Sequence, residues 1–196
     1  IIPKIFIINL KNRNDLKNKI YEQLSYFNIN NFEFFEAYNG YTNKIIKEKY
    51  DEYNLKYDNN IISNITLGVT KKHINSLGAL GVIYSTIELF KKINKNTNLD
   101  HVIILEDDVY FVYDFEKKAR SIFEKELPKD WDILYLSALP NKWGFTWDPH
   151  SENLSRLYNG VWWMSGYCLT RKAAQHLLNE LPEAVWNDFQ KEFLDN

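Results

Sequence analysis

A single cysteine, Cys168, stands among the 196 residues, so no intramolecular disulfide can form and the fold must rest on its core. In that setting Cys168 reads as a small buried apolar side chain. Glycine and proline are sparse, at seven and five, which excludes collagen-like repeats and Gly/Ser linkers. Long apolar runs are missing as well: no stretch approaches the ~18 residues of a membrane span. The first run, Ile1 to Leu10, is interrupted by Pro3, Lys4 and Asn9, and lacks the basic head and cleavage site of a signal peptide. Charge of one sign is absent too, because 24 basic and 26 acidic side chains leave a net charge of -2. A basic nucleic-acid-binding module is therefore not expected. Because the chain opens on Ile1 rather than methionine, it is expected to be part of a longer protein.

What is present is core material. Hydrophobic residues make up 45% of the chain and aromatic ones 16%, enough for one folded domain spanning residues 1–196. Asn, Ile and Lys supply 63 residues, and Lys outnumbers Arg 20 to 4. All three have A/T-rich codons, so this bias reflects the genome of an A/T-rich organism or virus. The sequons at Asn64 and Asn153 are expected by chance in so Asn-rich a chain.

Strand and helix patterns alternate. Ile5–Ile8 is a continuous apolar run suited to a strand covered on both faces. Residues 15–27 carry Leu16, Ile20, Leu24 and Phe27 at helical spacing, with Asn14 placed as N-cap. A strand over 32–37 follows, closed by an Asn39-Gly40 turn, and then a short helix over 42–53. Helices are expected over 77–93, 114–126, 171–181 (ended by Pro182) and 183–194, and strands over 102–105, 133–136 and 162–170. Residues 140–160 read as a long loop. Alternating βα units point to one α/β domain with a mainly parallel central sheet flanked by helices.

The segment with most chemical content is Val102-Ile103-Ile104-Leu105-Glu106-Asp107-Asp108, an apolar strand running into three acids. Ligands of open α/β sheets bind beyond the carboxyl ends of strands, where these acids would sit. Adjacent carboxylates repel one another unless a cation shares them, and hard oxygen donors suit Mg²⁺ or Mn²⁺. If the chain stays extended, Glu106 and Asp108 face one side as a metal-binding pair and Asp107 the other. The structural alternative is a solvated loop with an acid bonding a turn amide.

Several segments, in order, resemble glycosyltransferase family 25. These are Ile7-Ile8-Asn9-Leu10-Lys11-Asn12-Arg13, Phe32 to Gly40, Leu77 to Ser85, Ile104 to Val109, Trp131 to Leu136 and Tyr167 to Ala174. Two positions depart from that pattern: Thr86 stands where the family usually has histidine, and Trp186-Asn187-Asp188 only approximates its late Pro-Val-Asp block.

The resemblance implies a GT-A fold. It also implies metal-dependent, inverting transfer of galactose, glucose or an N-acetylated hexosamine from a UDP-sugar to a glycan or protein hydroxyl. Its metal would be Mn²⁺ or Mg²⁺ at Glu106 and Asp108. Asp188 is the leading candidate for the base, with Asp148 and Glu183 behind it. By position, Leu10, Arg13, Ala37, Tyr38, Lys72 and Asp107 are candidates for the nucleotide-sugar. Gly78 and Gly81 read as packing glycines. Trp143, Trp147 and Trp163 are candidates for the acceptor, because sugar C–H faces stack on indole rings. His150 and His176 are the late histidines available to a metal. The expected setting is the cytoplasm or a viral or intracellular glycan-assembly compartment. Two other classes stay open: a non-catalytic domain that keeps the fold, and a metal-dependent nucleotidyltransferase, which would need a basic cluster near the first turn.

Overall fold

The computed structural model describes residues 2–48, 50, 77–139, 147–157 and 162–183. Its strands and helices are β1 (Lys4–Asn9), α1 (Asn14–Tyr26), β2 (Phe32–Glu36), α2 (Leu77–Lys95), β3 (His101–Glu106), α3 (Phe115–Ser121), β4 (Ile133–Leu139), β5 (Trp147–Pro149), β6 (Ser155–Leu157), β7 (Trp162–Thr170) and α4 (Arg171–Glu183). A π-helical turn, Ile122–Glu126, extends α3. Residues 44–48 are also helical, and the Asn43 side chain accepts the Ile46 N–H as their cap.

Five strands form one sheet in the order β2-β1-β3-β7-β4. Pairs β1–β2 and β1–β3 are parallel, whereas β7 runs antiparallel to both β3 and β4. The sheet is thus mixed: β1, β2, β3 and β4 run one way, and β7 alone enters between β3 and β4 from the far end.

Alternation along the buried strands divides the core into two layers. On one face Phe6, Val102, Ile104, Tyr167 and Leu169 pack with Leu89, Phe90 and Ile93 of α2 and Ala173 and Ala174 of α4. On the other, Ile5, Ile7, Ile103, Leu105 and Cys168 pack with Ile20 and Leu24 of α1. Cys168 is fully buried, and burial pushes its thiol pKa well up, as suits an inert core position.

Four other expectations change. Asn14 is not a cap: α1 begins on it, and Arg13 occupies the capping position without a side-chain bond. The helix can start that early because the Arg13 N–H already bonds the Leu10 carbonyl, closing a turn ahead of it. Pro182 lies within the last turn of α4, which runs to Glu183. Residues 115–126 leave α-geometry at Ile122. The expected loop over 140–160 contains the β5–β6 hairpin. The helix expected over 183–194 lies, past its first residue, outside the described residues. No helix among the described residues is long and apolar enough to cross a membrane.

Candidate functional site

Parallel pairing puts the ends of β1, β2 and β3 side by side, with Ile8 opposite both Phe35 and Glu106. The residues that follow these strands therefore share one rim: Leu10 and Arg13, Ala37 and Tyr38, and Asp107 and Asp108.

The three acids do not continue the strand. β3 ends at Glu106 and residues 107–108 turn, so strand alternation does not extend to Asp108. Asp107 is drawn toward β1 instead: its Oδ2 accepts a 2.6 Å hydrogen bond from Asn9 Nδ2. Glu106 and Asp107 are half-buried and Asp108 is exposed. Burial, and then the charges of Asp108 and Asp107, raise the Glu106 pKa. Burial likewise raises Asp107, opposed by the Asn9 hydrogen bond. On β7, opposite Ile104, burial and then the Glu106 charge push the Tyr167 phenol up. Arg13 faces the acids electrostatically, but its guanidinium bonds both Asp15 carboxylate oxygens at 3.0 Å.

Carboxylates are the donors a hard divalent cation takes, and a shared positive charge would relieve the repulsion that raises Glu106. Among the described residues no group of three or more His, Cys, Asp or Glu side chains could hold a metal by itself. A cation bound through one or two carboxylates plus substrate phosphates does not require one.

The wall across from the acids is the segment after β2. The Ala37 N–H bonds the Asn9 carbonyl, and the Tyr38 N–H bonds Ser85 Oγ at 2.8 Å. Ser85, fully buried in α2, donates in turn to the Gly81 carbonyl at 2.6 Å. Two glycines allow this docking. A Cβ on Gly81 would come within 2.6 Å of the Tyr38 carbonyl oxygen, and one on Gly40 would overlap the Leu77 carbonyl. Gly81 is thus the packing glycine its spacing suggested.

Other predicted residues lie on other elements. Asp148 sits in β5, opposite Arg156 of β6. The turn of that hairpin is held by Glu126, which accepts bonds from the Ser151 hydroxyl and from the Asn153 amide and backbone N–H. Glu126 ends the π-helical turn that contains Phe123, and Phe123 stacks on His101 at the amino end of β3. Among the described residues, His150 and His176 are not part of any metal-holding group. Trp147 begins β5 and Trp163 lies in β7, but their side chains, like Lys72, Trp143 and Asp188 entirely, are outside the described residues.

Asn9 and Ser85 were given no role from sequence. Asn9 did carry a signal, as a polar residue ending an apolar strand; Ser85 in an apolar helix carried little.

Comparison with known proteins bears on this arrangement. Residues 2–189 match the sequence profile of "Glycosyltransferase family 25 (LPS biosynthesis protein)". The chain belongs to glycosyltransferase family 25. It is also 29% identical, over 134 residues, to "Putative glycosyltransferase R655" of Acanthamoeba polyphaga mimivirus. That alignment covers 67% of this chain and 36% of the relative, so the chain spans about a third of the protein it matches.

Proposed function

We propose that the chain is a GT-A-type glycosyltransferase domain that moves a hexose or N-acetylated hexosamine from a UDP-sugar to a glycan or protein hydroxyl, with inversion. The observation that carries this reading is the acid cluster Glu106–Asp108 at the carboxyl end of β3, on a rim shared with Arg13 and Tyr38, in a family 25 chain. Glu106 and Asp108 would hold Mn²⁺ or Mg²⁺, and the bound cation would supply Lewis-acid stabilisation of the diphosphate leaving group.

The chain's own groups divide the remaining work. Asp107, fixed by Asn9, faces the donor ribose or sugar. Leu10, Arg13, Ala37 and Tyr38 line the nucleotide side, and Lys72 is assigned to phosphate. Inversion requires a carboxylate to take the acceptor hydroxyl's proton. Asp188 is preferred for this role, with Asp148 and Glu183 behind it. Trp143, Trp147 and Trp163 are assigned to stacking against the acceptor.

The test is a panel of UDP-sugars incubated with the protein and Mn²⁺, with UDP release as the readout. One donor should be turned over, and Asp108→Ala should lower that rate by at least ~100-fold. No release from any donor, or full release by Asp108→Ala, would rule the reading out.

A further inference from the structure

Asn9 is a buried polar residue at the end of β1, only 6% exposed, and the mechanism above asks nothing of it beyond its bond to Asp107. Its contacts reach all three chain segments of the rim. Its side-chain Nδ2 donates to Asp107 Oδ2 at 2.6 Å and to the Arg13 carbonyl at 3.2 Å, while its own carbonyl accepts the Ala37 N–H at 2.9 Å. One residue thus joins the turn after β3, the entry to α1 and the exit of β2.

Chemistry fixes which residue type can do this. Both side-chain partners are acceptors with no hydrogen to give, so the amide must present its NH₂ and both of its donors are used. An aspartate there would place a second carboxylate 2.6 Å from Asp107. An aliphatic residue would take this donor from the half-buried Asp107 carboxylate and from the Arg13 carbonyl, and glutamine would carry the amide one methylene too far. The bond to Asp107 is short and charge-assisted, the type that holds a carboxylate in one orientation.

We infer that Asn9 is a positioning residue for the donor: it holds the Asp107 carboxylate in the orientation that receives the ribose of the nucleotide, so UDP affinity depends on Asn9 through Asp107. This rests on the glycosyltransferase reading and adds to it a residue that need not touch the substrate. Because Asn9 acts through Asp107, its removal should matter when Asp107 is present and cease to matter when Asp107 is gone. A residue needed only for folding would not show that dependence.

The experiment is a calorimetric titration of UDP, with Mn²⁺ present, into the unmodified chain, Asn9→Ala, Asp107→Ala and the double variant. Asn9→Ala should weaken UDP about tenfold, and the double variant should bind no more weakly than Asp107→Ala alone. Asn9→Asp should lose more than Asn9→Ala. Circular dichroism establishes that each variant is folded, and if Asn9→Ala is not, Asn9→Ser takes its place in the cycle. Unchanged affinity in the Asn9 variant, or losses that multiply in the double variant, would overturn the positioning role while leaving the glycosyltransferase reading intact. Failure of the unmodified chain to bind UDP would overturn that reading and this inference with it.

Discussion

Ser85 shows how a single buried hydroxyl can hold a loop. It accepts the Tyr38 N–H and donates to the Gly81 carbonyl, so one oxygen both satisfies a backbone donor outside the helix and anchors it to α2. Ser85→Ala would leave the Tyr38 N–H unpaired at a part-buried position. The expected cost is about 1–3 kcal/mol, read as a lower urea midpoint with unchanged slope. A midpoint equal to that of the unmodified protein would show that water replaces the hydroxyl. At this scale the sequence was informative about charge and poor on neutral polar groups. Three acids after four apolar residues announce themselves. Asn9 and Ser85 act through partners that are distant in the chain, Asp107 lying 98 residues from Asn9 and Tyr38 47 from Ser85. No local pattern encodes such pairings.

At the scale of elements, close approach and tethering set the shape of the rim. Gly81→Ala would push a methyl group into the Tyr38 carbonyl and the Gly40 backbone, at 2.6 and 2.8 Å. Backbone cannot swing aside as a side-chain end can, so a loss of about 1–3 kcal/mol in thermal unfolding is expected, although alanine favours helix over glycine. A stabilised protein would contradict that packing.

The β5–β6 hairpin depends on Glu126, whose pKa falls to about 2 because Ser151 and then Asn153 donate to it. A carboxylate depressed in the folded state contributes stability above its unfolded pKa of about 4.3, and loses it as pH falls toward the folded value. Acid unfolding of the protein should therefore have a contribution between about pH 4 and 2 that Glu126→Gln removes. Coincident acid limbs for the two proteins would argue against this tether.

The buried strands and the amphipathic helices were legible because each is decided by its own apolar run. The hairpin and the π-helical turn were not, since Trp147–Pro149 and Ser155–Leu157 are three-residue strands of mixed polarity. Their pairing depends on the clamp at Glu126.

For the molecule as a whole, strand direction decides which residues meet. The adjacent parallel strands β2, β1 and β3 gather three ends at one rim, as the βα alternation suggested. The antiparallel return of β7 between β3 and β4 was hidden. A strand's direction depends on its partners, and its own apolar pattern reads the same either way. That return brings Tyr167 into the core close enough for the Glu106 charge, after burial, to raise its phenol.

The central claim, that Glu106 and Asp108 bind a divalent cation which in turn holds a nucleoside diphosphate, is tested most directly by titrating UDP into the protein with and without Mn²⁺. UDP should bind with Mn²⁺, weaken by at least ~10-fold when the metal is chelated, and show the same weakness in Asp108→Ala whether or not Mn²⁺ is added. Equal UDP affinity with and without metal, or an Asp108→Ala protein that still responds to Mn²⁺, would contradict it.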